Sequence, residues 1–458
     1  MSEKKVVTRF APSPTGFMHI GGVRTALFAW LWARKNKGIF ILRLEDTDKD
    51  REVEGSLEHI IKSLKWIGLD WDQGIDVGGP LGSYKQSERL EVYKKYAEEL
   101  IAKGFAYPDP YTEEQLNAFR KEAEENKKPF LYRNHRPEQF GIWNGTQALR
   151  FKTTEIKSYH WHDDVRGDLS AGEEALDDFI LIKSDGYPTY NFAHIIDDFQ
   201  MEVTHIMRAD EFISSTPKFL SLYEALGITP PMFVTLPPIL AEGGKKKLGK
   251  RDGAKDILDY ATEGYLPEAM LNFLALLGWN PGTEQEIFSP EELIAAFEIE
   301  RIQISGAQVN LDKLDWMNKE HIKKLSKEGI EKNIFANLPE NYRNPKIINL
   351  ITERISKWSD VKEMVRAGEL DFFFNEPKFS KEKLLYKDVS LAQISNNLDK
   401  AKVALEGIDE KNFTTNNIKE ILMTIAEHLP SKGELLHPLR FALSGLDKSP
   451  DPFMIAEI

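Results

Sequence analysis

The beginning of the chain must fold as a strand, a constrained turn and a helix in immediate succession. Val6, Val7 and Phe10 give a short apolar strand, and the segment APSPTGFMHIGG at 11–22 then interrupts regular structure with prolines and glycines. From Val23 onward the apolar residues recur at helical spacing. Free backbone N–H groups and the positive helix end meet at such a junction, where a phosphate binds well. The pattern therefore predicts an anion-binding turn, although a lone Gly-Gly pair would indicate only an ordinary turn.

Reactive side chains are concentrated in the same turn. Arg9 precedes it, Ser13 and Thr15 lie inside it, and His19 stands at the helix entrance. This concentration favours a functional site over a simple chain reversal.

The stretch RFAPSPTGFMHIGG at 9–22 resembles the first signature of the glutamyl-tRNA synthetases, in which the His-Ile-Gly core belongs to class I aminoacyl-tRNA synthetases. The resemblance implies that the histidine binds ATP and stabilises the transition state at the α-phosphate. The implied ATP-binding residues here are His19, Gly21 and Gly22, and the implied amino-acid contacts are Arg9, Ala11 and Ser13. Gly22 replaces the second histidine of many class I enzymes, as is usual in the glutamate-specific branch.

A second polar cluster follows a buried strand predicted at 39–44. Glu45, Asp46, Thr47 and Asp48 stand at its carboxyl end, where open parallel sheets bind ligands. Asp46 or Asp48 is expected to cap a helix over 51–69. By the resemblance, Glu45 holds the amino group of the substrate, and a carboxylate is a suitable partner for an ammonium.

A third cluster follows the strand predicted at 203–208. Arg208, Asp210 and Glu211 repeat the placement of Glu45, which favours a shared site, although Arg208 could simply pair with Asp210. Tyr190 could likewise be a core residue. By the resemblance, Tyr190 and Arg208 contact the glutamate side chain and Glu211 touches ATP. The residues that would shape the pocket run from Asn191 to His194.

The segment KLGKR at 247–251 resembles the mobile Lys-Met-Ser-Lys-Ser loop of class I synthetases. Its charge alone would indicate a solvated loop. The resemblance implies ATP contacts from Lys247, Leu248, Lys250 and Arg251, with Lys250 meeting the triphosphate as a catalytic residue beside His19. Gly249 departs from the pattern, because a serine is usual there, and its effect on loop closure stays open.

Composition limits the remaining possibilities. The 458 residues carry a net charge of −13 and contain no cysteine, so disulfides, thiol catalysis and cysteine-bound zinc are excluded. No apolar run is long enough to span a membrane, and no signal peptide precedes the first strand, so a cytoplasmic enzyme is expected. His160 and His162 could ligate a metal, but alternation favours an exposed strand. We therefore expect no protein-held metal and no zinc.

The resemblance implies an α/β fold: a Rossmann-like class I catalytic domain with an inserted α+β acceptor-binding domain, followed by an all-α anticodon-binding region. The expected domains are 1–105 (catalytic, first half), 106–189 (insertion), 190–240 (catalytic, second half), 241–322 (stem contact, with the KLGKR loop) and 323–458 (helical, anticodon-binding). Thr112 and Gln115 predict a capping box for a helix over 112–126.

The implied activity is ATP-dependent activation of L-glutamate, with Mg²⁺, and transfer to tRNA(Glu) by a monomer. Alternatives are an enzyme that also charges tRNA(Gln), a glutaminyl-tRNA synthetase, or a catalytically silent tRNA-binding paralogue. The presence of His19, Glu45, Arg208 and Lys250 argues against silence.

Lys250→Ala is predicted to lower the rate of adenylate formation by orders of magnitude, because Lys250 is expected to meet the triphosphate. The affinity for tRNA should stay nearly unchanged. Normal turnover of this variant would refute the assignment of the KLGKR loop.

Overall fold

The computed structural model describes residues 5–244, 246–249 and 255–458, and it divides into two compact units. The first comprises Met1–Thr262 and Pro267–Met317, and the second Glu263–Leu266 and Asn318–Ile458. The domain boundaries suggested by the sequence stay predictions.

The strands of the described ranges are short. In chain order they are β1 (Val7–Phe10), β2 (Ile39–Leu42), β3 (Gln73–Gly74), β4 (Ala106–Pro108), β5 (Leu149–Phe151), β6 (Tyr159–Asp163), β7 (Gly167–Ala171), β8 (Ile180–Ile182), β9 (His205–Ala209), β10 (Met232–Leu236), β11 (Ile239–Leu240) and β12 (Ala307–Gln308).

Helices separate these strands and make up most of the second unit. They are α1 (Ile20–Lys35), α2 (Ser56–Trp66), α3 (Leu90–Ala102), α4 (Glu113–Glu125), α5 (Tyr190–Gln200), α6 (Thr216–Leu226), α7 (Ile257–Glu263), α8 (Pro267–Leu276), α9 (Pro290–Ala296), α10 (Leu311–Lys323), α11 (Lys327–Asn337), α12 (Ile348–Arg354), α13 (Ser359–Arg366), α14 (Leu391–Glu406), α15 (Thr415–Glu427), α16 (Gly433–Ser444) and α17 (Pro452–Glu457).

Two mainly parallel sheets form the centre of the first unit. One has the order β1-β2-β3, and the other has the order β7-β6-β10-β9, in which β7 alone runs antiparallel to its neighbour. Thr204 N donates to Val7 O at 2.9 Å, which joins the start of β9 to β1. The carboxyl ends of β1, β2 and β9 therefore open toward the same edge.

A separate antiparallel sheet interrupts this arrangement, with the order β4-β5-β8. The helix α4 beside it begins with the predicted capping box: Thr112 accepts from Gln115 N, and the Gln115 side chain accepts from Thr112 N. This sheet lies within the segment that the sequence predicted as an insertion.

The second unit is helical and has two apolar clusters. The first contains Ile334, Ile351 and Val361, and the second contains Ile418, Leu422 and Leu435, all fully buried. The all-α region that the resemblance implied there thus corresponds to packed helices.

The predicted cap of the second helix was wrong. The helix α2 begins only at Ser56, after Gly55 in the left-handed region with φ 76°. Asp46 instead accepts hydrogen bonds from Ser87 N at 2.8 Å and Ser87 Oγ at 2.6 Å. The Asp46 carboxylate therefore binds a residue distant in the sequence instead of a helix end. Asp48 makes no side-chain cap either.

Asp163 is a buried connection between β6 and β10. Its carboxylate accepts from Val165 N and Arg166 N, each at 3.0 Å, and from Thr235 N at 3.2 Å and Thr235 Oγ1 at 2.5 Å. Removing it would leave several buried donors without an acceptor, which is costly.

We predict that Asp163→Ala lowers the free energy of unfolding by about 2 to 4 kcal/mol. Urea denaturation followed by circular dichroism measures the change. Asp168→Ala is the matched control, because Asp168 lies on the same hairpin with its side chain 94% exposed. Equal destabilisation by the two variants would contradict this account.

Candidate active site

The turn after β1 is organised by His19. This residue caps α1, and its Nδ1 accepts from Gly21 N at 3.1 Å. A Cβ added at Gly21 would lie only 2.8 Å from His19 Cε1, so the ring position requires glycine. His59 supports the turn from outside, since its Nδ1 accepts from Met18 N at 3.3 Å and its ring stacks on Phe17. The strand, turn and helix predicted from the sequence are therefore present, with the histidine held at the helix start, and phosphate binding there stays a prediction.

Buried ion pairs join the ends of β1 and β2 to α5. Arg9 Nε and Nη2 donate to the two carboxylate oxygens of Asp198, at 3.0 and 3.1 Å. Arg43, which is fully buried, donates to Asp198 at 2.8 Å and to Glu45 at 3.0 Å. Asp197 continues the network, because Arg89 Nε donates to it at 2.8 Å.

The environment shifts the titration of two carboxylates in opposite directions. Burial raises the pKa of Glu45, and the guanidinium groups of Arg43 and Arg9 offset this only in part. Burial would also raise the pKa of Asp198, but Arg9 and Arg43 outweigh it, so this pKa lies below its usual range. Asp198 is therefore ionised at neutral pH and neutralises arginine charge.

Arg208 lies at the end of β9 with its side chain 6% exposed. Its Nη2 donates to Thr216 Oγ1 at 2.8 Å, whereas its Nη1 is buried without a hydrogen-bond partner. Among the described residues it makes no ion pair, and Asp210 and Glu211 contact Lys247 instead. The alternative that Arg208 merely pairs with Asp210 is thus not what the structure contains.

Aromatic rings surround this guanidinium. Its Cζ lies 5.1 Å from the ring centroids of Phe219 and Phe233 and 5.6 Å from that of Phe212. Burial lowers the pKa of Arg208 from its ordinary value. An unpaired buried hydrogen-bond donor on a cation is costly, so Nη1 of Arg208 is a candidate position for an acceptor from a ligand.

Tyr190 and His194 form a stacked pair on α5. Their ring centroids are 4.5 Å apart with an interplanar angle of 10°, and Phe219 packs against both rings. The His194 Nδ1 contacts Tyr190 O at 2.6 Å, which indicates an N–H at this position. Burial lowers the pKa of His194 to about 3, so the ring is neutral at physiological pH.

The other predicted residues lie at the same edge or outside the described ranges. Ala11 and Asn191 are half-buried, and Ser13 is exposed. Leu248 N donates to Ile239 O at 2.7 Å, which fixes the start of the KLGKR segment beside β11. Lys250 and Arg251 lie outside the residues that the structure describes.

Several residues of the site were missed by sequence reasoning. The list is Arg43, Arg89, Asp197 and Asp198. A signal existed for Arg43, because a charged residue between Leu42 and Leu44 interrupts an otherwise apolar strand. The two aspartates give no such signal, since their burial depends on how α5 packs.

His160 and His162 are exposed on β6, while Tyr159 and Trp161 are partly buried, as the alternation predicted. Within the described ranges no group of three His, Cys, Asp or Glu residues is arranged to hold a metal ion. No helix of those ranges has the length and apolarity to cross a membrane.

The sequence comparison identifies the family. The model of the family described as "tRNA synthetases class I (E and Q), catalytic domain" matches residues 5–316, and that of "Anticodon binding domain" matches residues 306–458. This chain belongs to the class I tRNA synthetases of the E and Q group. The fold class predicted from the sequence is confirmed: a class I catalytic domain followed by a C-terminal anticodon-binding domain.

Similar proteins cover nearly the full chain. A glutamate--tRNA ligase of Clostridium botulinum strain Hall is 42% identical, over 99% of this chain and 95% of its own length. A glutamate--tRNA ligase of Dehalococcoides mccartyi is 40% identical, over 99% and 94%. The crystal structure of a glutamate tRNA ligase from Elizabethkingia meningosepticum, in complex with its amino acid, superimposes with a TM-score of 0.86 at 35% identity, covering 99% of this chain and 96% of that one.

The neutral state of His194 leads to a prediction for the pH titration of the histidines. The NMR chemical shifts of the His194 ring should not change between pH 8 and 5, because burial holds the pKa of His194 at about 3. His162 should titrate above its ordinary value, because Asp168 accepts a hydrogen bond from it. NMR of histidine-labelled protein measures both, and His162→Gln and His194→Gln assign the signals.

The same shift affects stability with a defined sign. As pH falls below about 6.5, the unfolded chain protonates His194 while the folded chain does not, so this residue's contribution to stability declines toward pH 3. A His194 midpoint near 6.5 in the folded protein would contradict the burial argument.

Proposed function

We propose that this chain is a glutamate--tRNA ligase. It activates L-glutamate with ATP and transfers the glutamyl group to the 3' end of tRNA(Glu), in translation. The observation that carries this proposal is Arg208, a buried guanidinium with an unpaired Nη1 at the ligand edge of the sheet. Its charge and planar fork suit the side-chain carboxylate of glutamate. The names of the relatives support the same substrate.

The amino acid would be held at both ends. Arg208 binds the side-chain carboxylate, with Tyr190, Asn191 and His194 shaping the pocket around it. Glu45 binds the ammonium. Arg43 fixes the orientation of this carboxylate, because its Nη2 donates to Glu45 Oε1 at 3.0 Å. Arg9, Ala11 and Ser13 complete the contacts. For Arg9, Asp198 occupies Nε and Nη2 and Met207 O accepts from Nη1 at 3.5 Å, so the second N–H of Nη1 is the donor that remains.

ATP would bind where α1 begins. His19, Gly21 and Gly22 contact the nucleotide there, and Lys247, Leu248, Lys250 and Arg251 reach it from the KLGKR loop. Glu211 also contacts ATP, and it pairs with Lys247 in this structure. This pair connects the β9 end with the start of the KLGKR segment.

The reaction proceeds in two displacements. An oxygen of the α-carboxylate of glutamate attacks the α-phosphorus of ATP, and the bond to the β-phosphate breaks to release pyrophosphate. A terminal ribose hydroxyl of tRNA then attacks the acyl carbon, and AMP leaves. No protein side chain forms a covalent bond. Catalysis is by positioning and charge stabilisation, to which His19 and Lys250 contribute.

Mg²⁺ would be bound by the phosphate oxygens of ATP. It would neutralise phosphate charge. We further propose the domain boundaries given above, a monomer, and a cytoplasmic location, where tRNA and ATP are available.

An aminoacylation assay tests the function. With ATP and labelled glutamate, the protein should charge tRNA(Glu); charging of tRNA(Gln) with glutamate would identify a non-discriminating enzyme. Charging of tRNA(Gln) with glutamine, and not of tRNA(Glu) with glutamate, would replace the proposal with a glutaminyl-tRNA synthetase. Binding of tRNA without charging would indicate a silent paralogue.

Arg208 makes the choice of amino acid testable. Glutamate and glutamine differ little in size, but the amide NH₂ of glutamine would face the guanidinium as donor against donor. A site of this kind can reject the wrong analogue by roughly 10⁴-fold. We predict that Arg208→Ala lowers kcat/KM for glutamate by roughly 10³-fold and for glutamine far less.

The matched variant is Arg208→Lys, which keeps the charge but lacks the planar fork and should restore only part of the preference. Steady-state pyrophosphate exchange in the presence of tRNA(Glu) gives both constants. If Arg208→Ala kept the wild-type preference, specificity would have to lie elsewhere.

A further inference from the structure

Seven ionisable side chains are buried together at the ligand edge. The list is Arg9, Arg43, Arg89, Arg208, Glu45, Asp197 and Asp198, each at most 7% exposed. Water screens such groups poorly, so the balance of charge among them determines which ligand charge the site accepts.

Three of the four guanidinium groups have carboxylate partners. Arg89 contacts Asp197 at 2.8 Å, Arg43 contacts Glu45 at 3.0 Å, and Arg9 contacts Asp198 at 3.0 Å. Arg208 has no carboxylate partner within the part of the chain that the structure describes. With every member ionised, this group carries a net charge of one positive unit, which matches the net charge of −1 of glutamate. Asp46, which is also buried at this edge, is not counted because it pairs with Lys49 and Lys85.

Asp198 controls this balance through Arg9. Its two oxygens accept from Nε and Nη2 of Arg9, so one whole edge of that guanidinium is occupied. The remaining Nη1 lies 3.5 Å from Met207 O, on the strand that leads to Arg208. Asp198 also accepts from Arg43 Nη1 at 2.8 Å, which fixes the carboxylate from a second side.

We propose that Asp198 is a positioning residue that sets substrate charge specificity: it neutralises Arg9 and leaves Arg208 as the single uncompensated cation for the amino-acid side chain. The proposal rests on the proposed function and extends it. A side chain with one negative charge completes the site. A substrate side chain with two negative charges leaves one of its charges without a positive partner in the site.

The test uses a glutamate analogue in which a phosphonate replaces the γ-carboxylate and is dianionic at pH 8. In Asp198→Asn the fork of Arg9 loses its anion, so the site gains a positive charge. We expect the ratio of the inhibition constant of the phosphonate to the KM of glutamate to fall roughly tenfold, the effect of one partly screened charge. Pyrophosphate exchange with tRNA(Glu) present measures both constants.

The double variant Arg9→Gln/Asp198→Asn is the matched control, because it removes one charge of each sign. It also removes the Arg9 contact to the amino acid, which both ligands share, so both constants should weaken together while their ratio returns toward the wild-type value. A merely structural role of Asp198 would lower activity without shifting this ratio. If Asp198→Asn does not fold, Arg9→Gln alone keeps the proposal testable. It removes one positive charge and should raise the ratio by a similar factor.

An unchanged ratio in both Asp198→Asn and Arg9→Gln would overturn the role of Asp198. The wild-type protein distinguishes this outcome from failure of the proposed function. A wild type that charges tRNA(Glu) while the variants keep its ratio refutes only the role of Asp198. A wild type that does not charge tRNA(Glu) refutes the proposed function itself.

Discussion

Arg43 carries a charge with no exposed surface, and this is possible only because three carboxylates surround it. Glu45 follows it on the same chain segment, and Asp197 and Asp198 reach it from α5. Asp198 also holds Arg9 at the end of β1, so one group of charges joins two strands and a helix. Loss of one partner in such a group typically costs about 3 to 5 kcal/mol. The ligand edge of the sheet therefore keeps its geometry before any substrate binds.

This fixed arrangement explains how a small site can be selective. Charges and hydrogen bonds are already oriented, so binding requires little reorganisation. His194 is neutral and stacked on Tyr190, and it contributes shape without adding a charge. Arg208 is the guanidinium whose Nη1 stays without a partner among the described residues. Under the proposed function, specificity depends on completing this one hydrogen-bonding position rather than on filling a cavity.

The sequence predicted the features that depend on neighbours along the chain. The junction of β1 and α1, the capping box at Thr112 and the strand ends that carry Glu45 and Arg208 all follow from local patterns. Sequence reasoning failed where a side chain's hydrogen-bond partner lies far away along the chain. Asp46 was expected to cap a helix, yet its carboxylate oxygens accept hydrogen bonds from Ser87, which lies forty-one residues later in the chain. Asp198 gave no signal, because its partner Arg9 lies 189 residues away. Pairing across such distances depends on the packed sheet, which local periodicity does not specify.

The central claim is that the unpaired edge of Arg208 receives the side-chain carboxylate, while Arg9 stays paired with Asp198. A crystal structure with a non-hydrolysable glutamyl-adenylate analogue tests it most directly. We predict that Arg208 Nη1 lies within about 3.2 Å of a γ-carboxylate oxygen, with the Arg9 to Asp198 contacts intact. A γ-carboxylate bound to an Arg9 fork released from Asp198, with Arg208 Nη1 more than about 4 Å away, would contradict it.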